Sequence, residues 1–172
     1  MVQHLQAGLG RLVSLAIAIC LMGLGLLASP QAASAQDNKV NYTLSDVSYQ
    51  DFSGKNLSGT SFAGAEVRKA NFRGANLTAT ILTKASFLEA DLSAADLSGT
   101  FADRVVFDRA DFTNALFTNA IATSSTFNDA IIQGADFSDT ILDRYQIAQM
   151  CDYADGINPV TGISTRDSLG CR

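Results

Sequence analysis

The chain has 172 residues, 47% of them hydrophobic, which is enough for one domain with a core of its own. Its formal net charge is −5, from 12 basic and 17 acidic side chains, so neither nucleic acid nor an anionic membrane surface is expected as a partner. The single histidine is His4, and a protein without imidazole elsewhere lacks the usual general base, the Ser-His-Asp system and the commonest nitrogen ligand for metals.

Residues 1–35 differ from the rest. Arg11 is their only charged side chain, and the apolar run LVSLAIAICLMGLGLLA follows from Leu12 to Ala28. Pro30 then ends any helix, and Ala33, Ser34 and Ala35 form a small-residue cleavage site before Gln36. The pattern predicts an export signal peptide. The alternative is an uncleaved anchor, because the apolar run is close to the length that spans a bilayer. Cleavage would remove His4, Cys20 and Arg11, leave a net charge of −6, and leave no membrane-binding segment. Residues 36–41 read as a short lead-in.

From Tyr42 onward every fifth residue is large and apolar, with few exceptions: Tyr42, Val47, Phe52, Leu57, Phe62, and so on without a break in register to Leu142 and Ile147. Two residues before most of these lies a small one, such as Ala65, Ala70, Ala75 or Thr80. A helix buries positions three or four apart and a strand buries alternate ones, so neither produces a period of five. A chain that turns a corner after each pentad does. The large residue then fills an axis and the small one lies against the wall, where a bigger side chain would clash.

The pentads ANLTA (75–79), ADLSA (90–94), ADLSG (95–99), ADFTN (110–114) and ADFSD (135–139) resemble the consensus of the pentapeptide-repeat family. The resemblance covers residues 40–147. It implies an all-β fold, a right-handed quadrilateral β-helix over residues 42–147 with four pentads per coil, so that residues 20 apart stack. At a strand spacing of about 4.8 Å the rod would be about 26 Å long. Because each coil must bury its open ends, caps are expected at both termini. The family also includes acidic proteins that mimic DNA and bind topoisomerases. The acidic balance here is compatible with that role, whereas an export signal would remove the chain from such an enzyme.

Past Ile147 the period fails. LDRYQIAQM, from Leu142 to Met150, predicts a short amphipathic capping helix with Leu142, Tyr145, Ala148 and Gln149 or Met150 on one face. Residues 148–172 complete the cap and tail, with turn signals at Asp155-Gly156 and Asn158-Pro159. Loss of Cys20 leaves Cys151 and Cys171, and an oxidising destination predicts a disulfide between them, the alternative being two free thiols. A bridge closing a loop of about 20 residues contributes about 3 kcal/mol in the chain-entropy account.

The stretches ADGINPVTG and TRDSLGC resemble the C-terminal segment of thylakoid-lumen pentapeptide-repeat proteins of cyanobacteria and chloroplasts. This implies a thylakoid lumen in preference to a plain periplasm. It also implies, for Cys151 and Cys171, a redox-switch role as the alternative to a static structural bridge.

Stacking by 20 exposes one anomaly. At the position before the central residue, where the consensus has Asp or Asn, one wall reads Ser61, Ile81, Phe101, Ile121, Ile141. Side chains pointing outward there would form an apolar stripe of the kind that contacts a partner. The competing expectations are that a terminal segment covers it, or that Ala102 and Ala122 let Phe101 and Ile121 turn inward. Lys84, Arg104 and Arg144 would border it with positive charge. Two other columns are expected to be structural: Asp51, Asn71, Asp91 and Asp111, whose side chains bond turn backbone, and the hydroxyl ladder Ser58, Thr78, Ser98, Thr118 and Ser138. No cofactor, metal or catalytic residue is expected. The residues point to a non-enzymatic scaffold that binds a protein partner, or a second copy of itself, through Ile81, Phe101, Ile121 and Ile141.

Overall fold

The computed structural model describes residues 40–172. The expected signal peptide at 1–35, and residues 36–39 of the lead-in, lie outside the described residues. Among the described residues no helix is long and apolar enough to cross a membrane.

Parallel bridges join residues 20 apart from Asn41–Ser61 to Ile121–Ile141, on all four sides of the coil. Each side is one pentad, and the contact between coils is a single bridge per side rather than a long strand. Three hydrogen bonds carry most steps. The amides of the central residue and of the residue two past it donate to the next coil, as Phe72 N does to Asp91 O at 2.7 Å and Gly74 N to Ser93 O at 2.9 Å, and the preceding residue donates backward, as Asp91 N does to Ala70 O at 3.0 Å.

Turning a corner every five residues demands a left-handed backbone at one position. From Leu44 to Asp139 the residue two past each centre has positive φ, and 14 of these residues are not glycine. Such a conformation costs an L-residue about 1–2 kcal/mol. The turns are held by the consensus Asp or Asn, whose Oδ1 accepts the amide two residues on: Asp51 from Ser53 at 3.0 Å, Asn71 from Arg73 at 3.0 Å, Asp96 from Ser98 at 2.9 Å. That bond is why the pentad carries Asp or Asn before its large residue.

The central residues form one continuous core. Aromatic rings one coil apart stack, Tyr42 on Phe62 and Phe52 on Phe72, each pair with centroids 4.8 Å apart. Composition along the axis is balanced coil by coil: Phe107, Phe112 and Phe117 share a level with Ala102, and Phe127, Ile132 and Phe137 with Ala122, all at most 1% exposed. Three bulky groups in one cross-section leave room for a fourth that is only a methyl.

The C-terminal end departs from the expected boundaries. The regular path ends at Leu142 rather than Ile147, and helix α1 spans Arg144–Cys151 instead of starting at Leu142. Its inward face is Gln146 and Met150, while Tyr145 is 69% exposed and Ala148 is exposed. The reason is polar. The last coil presents amides that a further coil would have satisfied, and the cap supplies substitutes: Gln146 Oε1 for Phe127 N at 3.1 Å, Asp143 Oδ2 for Ser124 N at 2.8 Å, Ser168 Oγ for Phe137 N at 3.0 Å, and Asp155 O for Gly134 N at 2.9 Å. An apolar face on α1 would leave such donors bare.

The tail, expected to be a plain stapled loop, holds a bridge between Ile157 and Ser164 and a short helix, α2, spanning Thr165–Ser168. Ser164 caps α2 by accepting Asp167 N at 3.1 Å. Asn158 is fully buried and donates to Gly134 O at 2.8 Å and Ala115 O at 3.2 Å, while its Oδ1 accepts Val160 N and Thr161 N. A disulfide joins Cys151, the last residue of α1, to Cys171, with Cα atoms 5.6 Å apart.

Candidate functional site

The apolar stripe is real and open. Ile81, Phe101, Ile121 and Ile141 are bridged in succession, and they are 43%, 52%, 37% and 55% exposed. One competing expectation fails: Phe101 and Ile121 do not turn inward over Ala102 and Ala122. Among the described residues no segment covers the column. Alternation along an extended segment explains the direction, since the central residue of each pentad points to the axis and its predecessor points away.

The backbone beneath the stripe is fully engaged. Phe101 N donates to Thr80 O at 2.9 Å and Phe101 O accepts Leu82 N at 2.8 Å; Ile121 N donates to Thr100 O at 2.9 Å and Ile121 O accepts Ala102 N at 2.7 Å. A partner therefore meets side chains here, and strand addition at a free edge is not available.

The fold does not ask for these residues. In the same column Asn41 accepts Thr43 N at 2.9 Å and Ser61 accepts Ala63 N at 3.3 Å, which are the turn-locking bonds of the consensus. Ile81, Phe101 and Ile121 have no acceptor to offer and give up that bond on three successive coils, and Ile141 extends the apolar row to the start of α1. Elsewhere exposed apolar residues interrupt a column singly, as Val106 and Ile131 do.

The basic border is shorter than expected. Lys84 and Arg104 occupy left-handed turn positions, whereas Arg144 opens α1. Arg104 Nε donates to Asp103 Oδ2 at 2.7 Å, and Asp103 also accepts from Thr123 Oγ1 at 2.8 Å. The Thr123 hydroxyl first, then Arg104, hold the Asp103 carboxyl below its ordinary value. Counting Lys84, Asp103, Arg104, Asp143 and Arg144, this wall is net positive, and the other three are each net negative.

The remaining columns are structural. Asp51, Asn71, Asp91 and Asp111 do stack, with Oδ1 committed to the turn amides of Ser53, Arg73, Ser93 and Thr113. Burial pushes the Asp91 carboxyl up, but bonds from the Ser93 hydroxyl and amide and the charge of Arg73 outweigh it and hold it below the usual range. A carboxylate so occupied is a poor base. The hydroxyl ladder bonds to itself and to the wall, Ser58 with Thr78 at 2.7 Å and Thr118 to Ser98 at 3.0 Å. Among the described residues no group of three or more His, Cys, Asp or Glu could hold a metal ion. A cleft beside α1, lined by Asp129, Gln146, Asp152 and Tyr153 among others, has a volume of about 250 Å³, below the size usual for small-molecule sites.

Sequence reasoning missed Gln146, Asn158 and Ser168, which hold the cap. The Asn158-Pro159 turn signal was visible. That its amide would enter the interior was not, because the carbonyls it meets belong to residues 24 and 43 positions earlier.

Comparison with known proteins agrees with this architecture. A family profile described as Pentapeptide repeats matches residues 44–78, 70–109 and 106–144, in 8 copies. The solved structure of a pentapeptide repeat protein from the Arabidopsis thaliana thylakoid lumen superposes with a TM-score of 0.72 at 38% identity, covering 74% of this chain and 88% of that one. HetL, a pentapeptide repeat protein involved in heterocyst differentiation regulation from the cyanobacterium Nostoc, gives a TM-score of 0.50 at 25% identity, over 56% of this chain and 51% of that one. Thylakoid lumenal protein TL20.3 of Arabidopsis thaliana is 57% identical over 42 residues, 24% of this chain. Thylakoid lumenal 15 kDa protein 1 of the same plant is 44% identical over 48 residues, 28% of this chain. The matched segments span 15% and 21% of those two relatives.

Proposed function

The chain belongs to the pentapeptide-repeat family and folds as its right-handed β-helix, and from that premise we propose that it is a non-enzymatic interaction module of the thylakoid lumen that binds a protein partner through the wall carrying Ile81, Phe101, Ile121 and Ile141. The observation behind this is the replacement of the turn-locking acceptor by an exposed apolar side chain on three successive coils of one wall, in a row that Ile141 continues. Each replacement works against the fold, so its use lies outside the fold. The lumenal relatives support the compartment.

Crosslinked affinity capture from lumenal extract tests the reading, with the native chain and a variant carrying Ile81→Ser, Ile121→Ser and Ile141→Ser as paired baits. A partner held by the first and lost by a folded second is the expected result. Equal recovery with both baits removes the stripe from function.

A second reading makes Cys151 and Cys171 a redox-responsive pair. It is favoured by the position of the bridge, which ties the end of α1 to the end of the tail whose Ser168 and Asn158 close the last coil. Thiol trapping in native extract across light and dark growth distinguishes a switch from a static bridge. Oxidation under every condition leaves only the static bridge.

A further inference from the structure

We infer that the partner of this wall is an amphipathic α-helix with an acidic flank, lying along the rod axis. The inference rests on the stripe being an interface, as proposed above, and goes on to the shape and charge of what it meets.

Spacing selects the helix over a strand. The coils are joined by parallel bridges, whose spacing is about 4.8 Å, so four stripe residues span about 14 Å. Apolar residues of a helix at i, i+4, i+7 and i+11 rise about 6, 10.5 and 16.5 Å from the first, at 1.5 Å per residue. They stay within about 2 Å of the stripe over its whole length. Same-face residues of a strand recur every 6.6–6.8 Å or so and overshoot by more than 5 Å at the fourth contact.

Relief agrees with spacing. The stripe is bordered at the neighbouring corner by Ala79 and Gly99, and on its own wall by Thr83, Asp103 and Thr123. The corner column goes on to Asn119 and Asp139, which are exposed; none of these side chains is longer than those of the stripe, so a cylinder of side chains can lie against the row.

Charge and area select against a second copy of this chain. This wall carries a net charge of only +1 but is the one basic wall in an otherwise acidic rod, so an acidic flank meets Lys84 and Arg104, whereas a second copy presents the same cations. The patch, three coil steps by one pentad, is on the order of 300 Å². A stable interface uses about 800 Å² per partner. A single helix docked by a few anchors fits the smaller area.

Two measurements test the inference. In the first, a benzophenone amino acid replaces Phe101 in the full chain, with Thr113 on another wall as control, and crosslinked peptides from lumenal extract are sequenced. The expected result is a segment with apolar residues at i, i+3 or i+4 and i+7 and an excess of Asp and Glu, lost when Ile121→Ser and Ile141→Ser are added. A crosslink to a basic segment, an alternating strand-like segment or a second copy overturns the helix while leaving the wall an interface. No stripe-dependent crosslink overturns both readings.

The second measurement titrates two defined 15-residue helical peptides, each with Leu at i, i+4, i+7 and i+11 and a flank of either Glu or Lys, by fluorescence anisotropy. The Glu-flanked peptide binds at least tenfold tighter at low salt, and the preference shrinks at high salt. Equal binding of the two removes the acidic flank from the proposal.

Discussion

Gln146 Oε1 accepts the backbone amide of Phe127 at 3.1 Å, standing where a main-chain carbonyl of a further coil would stand. Gln146 is 8% exposed, so the bond is shielded from water. Gln146→Leu fills the same space without an acceptor and leaves a buried donor bare, at a cost of about 1–3 kcal/mol. Thermal unfolding shows a lowered midpoint for Gln146→Leu and a much smaller change for Gln149→Leu on the same helix.

Asn158 holds the tail to the solenoid by donating to carbonyls of two coils while accepting two amides of its own loop. Asn158→Ala strips partners from more than one buried group, each worth about 1–3 kcal/mol. Hydrogen exchange in the amides of Val160, Thr161 and Ile163 accelerates by at least tenfold, and the amides of coils before residue 110 keep their protection. Uniform loss of protection along the rod would show that the cap and solenoid unfold as one unit.

On the stripe, stability and binding move in opposite directions. Ile121→Asn restores the consensus acceptor for the Thr123 amide, as Asn71 does for Arg73. A hydrogen bond of this kind contributes about 0.5–1.5 kcal/mol. The variant is therefore as stable as the native chain or more so in a denaturant titration, and it loses partner capture. A clear loss of stability would mean that Ile121 is needed for packing.

Inside the rod, volume is shared within each coil. Phe112→Ala opens a cavity among Phe107, Phe117 and Phe127 and costs about 3–5 kcal/mol. Ala102→Leu overfills the same level and costs about 1–3 kcal/mol. Combined with Phe112→Ala, Ala102→Leu recovers part of the cavity loss, and the non-additivity in unfolding free energy measures the shared volume.

Acid weakens the fold through its turn carboxylates. The amide and hydroxyl of Ser53 hold the Asp51 carboxyl below its ordinary value, and the Arg109 and Lys69 bonds do the same for Glu89. Asp91 is also held low. A folded value below the unfolded one stabilises fully above the unfolded value, 3.8 for Asp, and that contribution is lost as pH falls through the folded value. Stability is flat from about pH 5 to 8, because no histidine follows His4, and declines below about pH 4. Asp91→Asn keeps the turn acceptor, as Asn71 does, and removes its share of the acid dependence in urea titrations at pH 7 and pH 3.

Period and composition were legible in the linear chain because the solenoid is local. Each pentad repeats the same turn, so Asp96 and Leu97 state in five residues what the fold does for a hundred, and the outward column of Ile81, Phe101, Ile121 and Ile141 follows from counting by 20. The cysteine pair was legible once Cys20 was assigned to the expected signal peptide, since Cys151 and Cys171 then leave one pairing. The cap was not. Gln146 faces the rod although its helix pattern favours Tyr145, because what decides the facing is the set of amides left open by the last coil, and those lie 19 or more residues away. Asn158 is buried for the same reason. Sequence by itself settles what is periodic, since there each residue's environment is set by its neighbours in the repeat. The tertiary structure settles where the period stops, since there buried donors must find acceptors wherever the chain can bring them.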